Sequence, residues 1–444
     1  MSPRRRNWLI LGAAVLLFAG VVAWRMLFLP GALAFAGGTQ VSLAEYRGPS
    51  PVGVPAELAK ADPLTRGKYL AEAADCAACH TAKDGKPFAG GRPFKLPFGT
   101  IYTPNITPDR ETGIGGWSDA EFLRAVHKGI GKGGERLYPA FPYASYTMLT
   151  DEDVLAIRRY LATLPAVRQA NQPNTFAFPF NQRWLMAIWG TFFNPDQRFR
   201  PVAERSAQWN RGAYLVEAAG HCGECHTPRT LTQAMNTRRK FAGGQAEGWN
   251  AYNITSDRLS GIGDWSDAEI AQYLSKGHAE GRGVASGPMA EAVELSTSRM
   301  TPSDIAAMVA YLRTIPAIET KALPQMAGPA PAVASTGPEG NPVGKRIFEG
   351  ACASCHAWSG HGAITSDQQL TGNRAVNDAT AANVAMMILN GTGGSPEKHG
   401  SYMPSFRTAY TDAEIAAVAN YVTARFGSKP SRITPADVKR MRKE

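Results

Sequence analysis

Apolar residues spaced three and four apart recur in three short stretches, each introduced by a hydroxyl residue and an acid three positions later. Val154, Leu155, Ile157 and Leu161 follow Thr150-Asp-Glu-Asp153; Ile305, Met308, Val309 and Leu312 follow Thr301-Pro-Ser-Asp304; Ile415, Val418, Tyr421 and Val422 follow Thr411-Asp-Ala-Glu414. A side-chain cap followed by that spacing predicts an amphipathic helix, and Pro302 suits a first helical position. Two more short helices are predicted over Arg66–Ala74 and Arg211–Ala219, which share the order Arg-Gly-x-Tyr-Leu-x-Glu-Ala-Ala. A different pattern opens the chain. After Arg4, Arg5 and Arg6 comes an apolar run from Trp8 to Leu29, interrupted only by Arg25. Its 22 residues suffice to cross a bilayer, with Arg25 reaching the interface and the leading arginines held in the cytoplasm. The rival reading is a signal peptide cleaved at Ala32-Leu33-Ala34. The run exceeds a usual signal core, so a retained anchor is preferred. Both readings place the rest of the chain across the membrane.

Whole motifs return along the chain. Phe88-Ala-Gly-Gly91 reappears as Phe241-Ala-Gly-Gly244, and the block from Asn105 to Glu121 reappears from Asn253 to Glu269 at a constant offset of 148. Such repetition implies duplicated structural units. The predicted organisation is a membrane segment (1–34), a first unit (60–165), an aromatic connector (166–205), a second unit (206–320), a Pro/Ala/Gly linker (321–342), a third unit (343–428) and a basic tail (429–444). The connector carries Phe176, Phe178, Phe180, Trp184, Trp189, Phe192, Phe193 and Phe199. Interdomain packing is the usual fate of such a segment, with a partner subunit or the bilayer surface as the other outlets. The linker reads as a semi-flexible tether, which would leave the third unit mobile. With 45 Gly and 31 Pro in 444 residues, long loops are expected between helices. The net charge of +10 sits partly at the two ends, and no basic patch with interleaved aromatics argues for nucleic acid.

The chemistry lies in three copies of Cys-x-x-Cys-His: Cys76, Cys79 and His80; Cys222, Cys225 and His226; Cys352, Cys355 and His356. Together they use all six cysteines. Two thiols three positions apart on one helical turn can each form a thioether to a haem vinyl group, and the following imidazole ligates the iron. A zinc site would not demand His after each pair, and a redox dithiol belongs to a βαβ context that is missing. Three covalent c-type haems are therefore expected. An iron that only passes electrons needs a sixth ligand, and a Met thioether raises its potential. Met403, in Tyr402-Met-Pro-Ser405, suits the third site, while Met386 and Met387 read as core. Met289 is favoured over Met300 for the second. In the first unit Phe141 stands at the corresponding place and cannot ligate; Met148, His127 or an open iron remain. His127, His278, His361 and His399 otherwise read as solvated or hydrogen-bonded, and Trp117 and Trp265 as parts of a haem wall.

These residues, with Ala82–Gly91, Phe98–Pro108, Leu137–Ala140 and Trp209–Glu217, resemble the three-haem cytochrome c subunits of membrane-bound bacterial dehydrogenases. The resemblance spans most of 62–428. It implies a mainly α fold of three tandem class I cytochrome c domains behind the N-terminal segment. It also implies transfer of electrons from a catalytic subunit carrying molybdopterin, pyrroloquinoline quinone or flavin, alongside a small third subunit, to ubiquinone in the cytoplasmic membrane, with the haem domains facing the periplasm. The family's methionines fall on Met289 and Met403. Alcohol and gluconate members carry Met at the place of Phe141, a departure that favours the molybdopterin, aldehyde-oxidising branch. The chain would then be an electron-transfer subunit without a catalytic centre of its own. The alternatives are a multihaem peroxidase, which needs an open iron, and a free-standing cytochrome feeding a terminal oxidase.

Overall fold

Helices cross where a glycine lets their backbones touch. In a computed structural model that describes residues 3–27, 30–320, 341–392 and 402–443, an opening helix and a closing helix meet in each unit. The opening helices are Pro63–Ala73, Ala207–Tyr214 and Pro342–Ile347, and the closing ones Asp151–Leu161, Pro302–Leu312 and Asp412–Phe426. A Cβ added at Gly67 would lie 2.2 Å from the Ala156 carbonyl oxygen; at Gly212, 1.9 Å from that of Ala307; at Gly344, 2.4 Å from that of Ala417. Only glycine allows these approaches. The caps expected for the closing helices are present: Thr150, Thr301 and Thr411 each accept from the backbone N–H three residues on.

The first two units are interlocked by a reciprocal exchange. Tyr69, on the first opening helix, donates to Asp304 on the second closing helix at 2.5 Å, and Tyr214 donates to Asp153 at 2.5 Å in return. Each phenol also accepts from the cap residue of the helix it reaches, Thr301 N–H and Thr150 N–H, both at 3.3 Å. Arg211 forks onto Asp304 (2.8 and 2.7 Å), and its other nitrogen bonds the carbonyls of Pro51 and Gly53. All four partners of the exchange are buried. One continuous apolar core therefore runs through both units, from Leu70 and Ile157 to Trp209, Leu215 and Met308. Thr411 and Glu414, in the third unit, close an ordinary capping box instead.

The second opening helix ends in a π-helical turn over Leu215–Ala219. A π turn takes up one extra residue, which accounts for the additional position between Tyr214 and Cys222 relative to Tyr69 and Cys76. Among the described residues, sheet is confined to three antiparallel hairpins: β1 Pro93–Leu96 with β2 Gly99–Tyr102, β3 Gly244–Ala246 with β4 Trp249–Ala251, and β5 His278–Ala279 with β6 Gly283–Val284.

Of the predicted tether (321–342), residues 321–340 lie outside the described residues, but the third unit is firmly docked. Trp249 of β4 belongs to the third unit's core. Asn250 and Asn383 exchange two backbone–side-chain bonds (2.8 and 3.0 Å), and Tyr252 donates to Asp378 at 3.2 Å. Arg374, 6 % exposed, donates to the carbonyls of Ser260 and Gly261. Linker composition predicted freedom; the surfaces it joins supply a polar, buried lock instead.

The apolar N-terminal run forms the helix Pro3–Leu27, about 37 Å long at 1.5 Å per residue, and is exposed from Arg4 to Val21. Leu33 and Ala36, just beyond it, are buried in the shared core. The aromatic connector divides: Phe176 is buried against Phe98 and Tyr138 of the first unit, Phe199 is buried in the shared core beside Tyr214, and Phe178, Phe180, Trp184 and Phe192 are exposed.

Gly212→Ala is expected to cost about 1–3 kcal/mol through forced separation of the helices, read as a lowered midpoint in chemical denaturation. Gly350→Ala, whose Cβ would meet nothing within 4 Å, serves as the control and leaves the midpoint unchanged or slightly raised.

Candidate haem sites

Each Cys-x-x-Cys-His segment forms a short helix or helical turn directly after the opening helix. In the first two units the residue before the first cysteine, Asp75 or His221, takes a left-handed conformation (φ 52° and 36°) that turns the chain from one helix into the next. Burial pushes the thiols of Cys76, Cys79 and Cys222 up to about 12, and those of Cys225 and Cys352 to about 11. Burial thus keeps these five thiols protonated until each is consumed or ligated.

The three histidines share one arrangement. His80 Nδ1 bonds the Pro104 carbonyl at 2.8 Å, His226 Nδ1 that of Tyr252 at 2.6 Å, and His356 Nδ1 that of Gln368 at 2.6 Å. A carbonyl can only accept, so the proton sits on Nδ1 and the Nε2 lone pair is left for a metal. Burial lowers the pKa of all three, which favours the neutral imidazole that ligation requires. This is the outer-sphere support typical of metal-bound histidine.

The duplicated blocks build that support. Gly90 N–H donates to the His80 carbonyl and Gly243 N–H to that of His226, both at 2.8 Å. Phe88 N–H and Phe241 N–H donate to Thr81 and Thr227, the residues after each histidine, at 3.1 Å. Asn105 and Asn253 directly follow the carbonyls that hold the imidazoles. Asn105 donates to Val167 and accepts from Thr107; Asn253 donates to Ile318 and accepts from Thr255. Each loop is thereby pinned to the chain leaving its closing helix. A Cβ at Gly90 (φ +72°) would lie 2.4 Å from the Pro104 carbonyl carbon, so that loop can approach only glycine. Trp265 is buried in the shared core and Trp117 packs against it. Cation contacts and carbonyl bonds from Arg158, Arg282 and Arg313 hold the two indoles' neighbourhood in place.

A cavity of about 640 Å³ opens in the third unit. Cys352, Cys355, His356, Met403, Leu370 and Ile388 line it, and its far wall comes from the second unit through Ala285, Ala290 and Val293. Size, apolar lining and the joint presence of His356 and Met403 fit a haem. Met386 is core, 2 % exposed, but Met387 faces this cavity rather than the core alone.

In the second unit Met300 is buried in the core at 8 % exposure, while Met289, in the first turn of the helix Pro288–Leu295, packs half-buried against the shared core. In the first unit Phe141 and Met148 both pack half-buried there, with the Phe141 ring 5.6 Å from that of Tyr146. Of the two readings for His127, solvated or hydrogen-bonded, the structure excludes the first: its Nδ1 lies 3.7 Å from Asp151. It is 2 % exposed, burial lowers its pKa to about 4, and its Nε2 has no hydrogen-bond partner among the described residues. His278 pairs with Asp367 at 2.9 Å across the boundary between the second and third units. His361 bonds Thr371 at 3.2 Å, and His399 lies outside the described residues.

The sites are neighbours. The helix Pro288–Leu295 touches the first motif helix and helps line the third cavity. Arg92 ties them further: it donates to the Ala78 carbonyl within the first motif (2.6 Å), to Glu291 (2.5 Å) and to Glu247 (3.1 Å). Ser145 donates to Glu224, inside the second motif, at 2.9 Å, and the Tyr146 ring stands edge-on to His221 at 5.3 Å. These bridges between motifs were invisible in the sequence because they join residues up to 199 positions apart.

The cytochrome c family model matches residues 64–165, 210–316 and 343–425. Among curated relatives, a nicotinate dehydrogenase subunit of Pseudomonas putida is 38 % identical over 440 residues, 97 % of this chain, which spans only 35 % of that relative's length. The gluconate 2-dehydrogenase cytochrome c subunit of Pantoea cypripedii is 35 % identical over 399 residues, covering 86 % of this chain and 90 % of the relative. The fructose dehydrogenase cytochrome subunit of Gluconobacter japonicus is 38 % identical over 406 residues, covering 85 % and 82 %. Identity over nearly the full length, on a scaffold that presents three supported imidazoles beside paired cysteines, places the chain in the cytochrome c family as an electron-transfer subunit akin to those of dehydrogenase complexes.

Proposed function

We propose that the chain carries three haem c groups in tandem class I cytochrome c domains behind a retained membrane helix. They would relay electrons from a catalytic dehydrogenase subunit to ubiquinone in the cytoplasmic membrane, with the haem domains on the periplasmic side. The observation that carries this reading is the Nδ1–carbonyl bond repeated at His80, His226 and His356. Cys76 and Cys79, Cys222 and Cys225, and Cys352 and Cys355 would hold the porphyrins; Met289 and Met403 would complete two of the irons, and Met148 is the proposed sixth ligand of the first. Bound haem supplies reversible one-electron chemistry. The protein's part is to fix each imidazole, wall off water and keep the sites adjacent. Arg92, half-buried among Glu247, Glu291 and the first motif, and Ser145 on Glu224 hold the first two sites in register.

For the partner we favour the molybdopterin, aldehyde-oxidising type over quinoprotein or flavin types, with a small third subunit, because Phe141 replaces the Met of the alcohol and gluconate members. Support for the retained anchor is local. Lys240, buried on Glu217, also donates to the Ala32 carbonyl at 2.9 Å, and Leu33 is buried beside the second unit. Cleavage after Ala34 would remove both.

Three measurements test this reading. The complex purified in mild detergent should hold molybdenum in its largest subunit; pyrroloquinoline quinone or flavin there instead would reject the favoured branch. Met289→Ala and Met403→Ala should each remove one Met–iron charge-transfer contribution from the oxidised spectrum. Met148→Ala should do the same for the first haem, and an unchanged spectrum would rule Met148 out. N-terminal sequencing of the membrane-bound protein should read from upstream of Ala32, whereas a start at Phe35 would show that the helix is removed.

A further inference from the structure

The connector helix Leu185–Phe193 has no buried residue although eight of its nine side-chain positions are apolar or glycine. Around it Phe178 (78 % exposed), Trp184 (61 %), Ile188 (50 %), Phe180 (44 %) and Phe192 (42 %) face outward. The loop of the second unit adds Leu231, fully exposed, held nearby because Trp189 Nε1 donates to the adjoining Thr232 carbonyl at 2.9 Å. Monomeric surfaces seldom expose so much contiguous apolar area without a partner. From Phe178 to Phe193 the chain has no acidic residue and a single cation, Arg183, which is already bonded to the Arg136 carbonyl.

Two observations identify the occupant. The helix Pro3–Leu27 comes within 8 Å, Cα to Cα, of Leu185–Phe193. Leu33, buried in the shared core, is six residue steps beyond Leu27, so the folded units lie within about 20 Å of the end of that helix at full extension. A surface so tethered meets the bilayer, and Trp and Phe with few charges are the residues that settle at its interface.

We infer that Leu185–Phe193, with Phe178, Phe180, Trp184 and Leu231, is a second membrane contact that lies in the interfacial layer of the bilayer and fixes how the haem units sit on it. The inference rests on the reading of Pro3–Leu27 as a retained anchor, and it adds an orientation that one tether cannot provide. In the haem-loaded protein the six native cysteines are consumed in thioethers, so one introduced cysteine can be labelled selectively. The full holoprotein carrying Ile188→Cys with a nitroxide is placed in vesicles of phosphatidylcholine and phosphatidylglycerol, with Glu152→Cys as a water-facing reference. At residue 188 collisions with oxygen should exceed those with a water-soluble nickel chelate several-fold, and the order should reverse at residue 152. Nickel access at 188 equal to that at 152, or exclusion of both reagents, would overturn the inference, the latter pointing to burial against protein. Phe192→Cys provides the same readout should Ile188→Cys fail to load haem. N-terminal sequencing of the same sample separates the two failures: a wet residue 188 beside an intact anchor refutes the contact alone, whereas loss of the anchor refutes the reading beneath it.

Discussion

The crossing of opening and closing helices is the constraint from which the other contacts follow. Because Gly67, Gly212 and Gly344 bring backbone to within the reach of a carbonyl, the residue two positions on in the first two units can pass beyond its own closing helix. That residue is Tyr69 or Tyr214, and each reaches the other unit's closing helix. The resulting Tyr–Asp bonds are buried and charge-assisted, a class worth more than a neutral exposed bond. They occupy the Asp153 and Asp304 carboxylates that would otherwise close a capping box, as Glu414 does in the third unit. A local signal at a helix start is thus redirected into long-range assembly, and the first two units become one body with one core.

That redirection marks what could be read in the chain. Caps, helices, repeats and the three haem motifs were legible because each is written in adjacent residues, and the relevant physics acts within one or two helical turns. Asn105 and Asn253 were legible only as part of a repeated block. Their role, pinning the loop whose Pro104 or Tyr252 carbonyl holds an imidazole, needs the chain returning after the closing helix to supply Val167 or Ile318. The docking of the third unit was misread for the same reason. Its linker is composed like a free tether, while the lock formed by Arg374, Asn383 and Asp378 on the second unit comes from residues with no local signature.

The helix Pro288–Leu295 is central for a related reason. It carries Met289, bonds Arg92 through Glu291, and lends Ala290 and Val293 to the third cavity. One two-turn element therefore contacts the surroundings of all three sites. A rearrangement there would be felt at each of them, which argues that the spacing between sites is set by this helix as much as by the core.

The buried pair Lys240–Glu217 ties the stretch that follows the N-terminal helix to the second unit. Two charges taken out of water are stable only when their remaining bonding capacity is met. Glu217 receives the Tyr311 hydroxyl on its other oxygen, and Lys240 finds its further acceptor in the Ala32 carbonyl. Arg205 likewise donates to the Ala36 carbonyl while stacking on Trp209. Severing the chain near Ala34 would leave a buried ammonium short of a partner and uncover the core at Leu33. The sequence Ala32-Leu-Ala34 looks like a cleavage site when taken alone, since small residues suit one. In the folded protein the same residues close the second unit, so the stretch after the N-terminal helix doubles as structural wall.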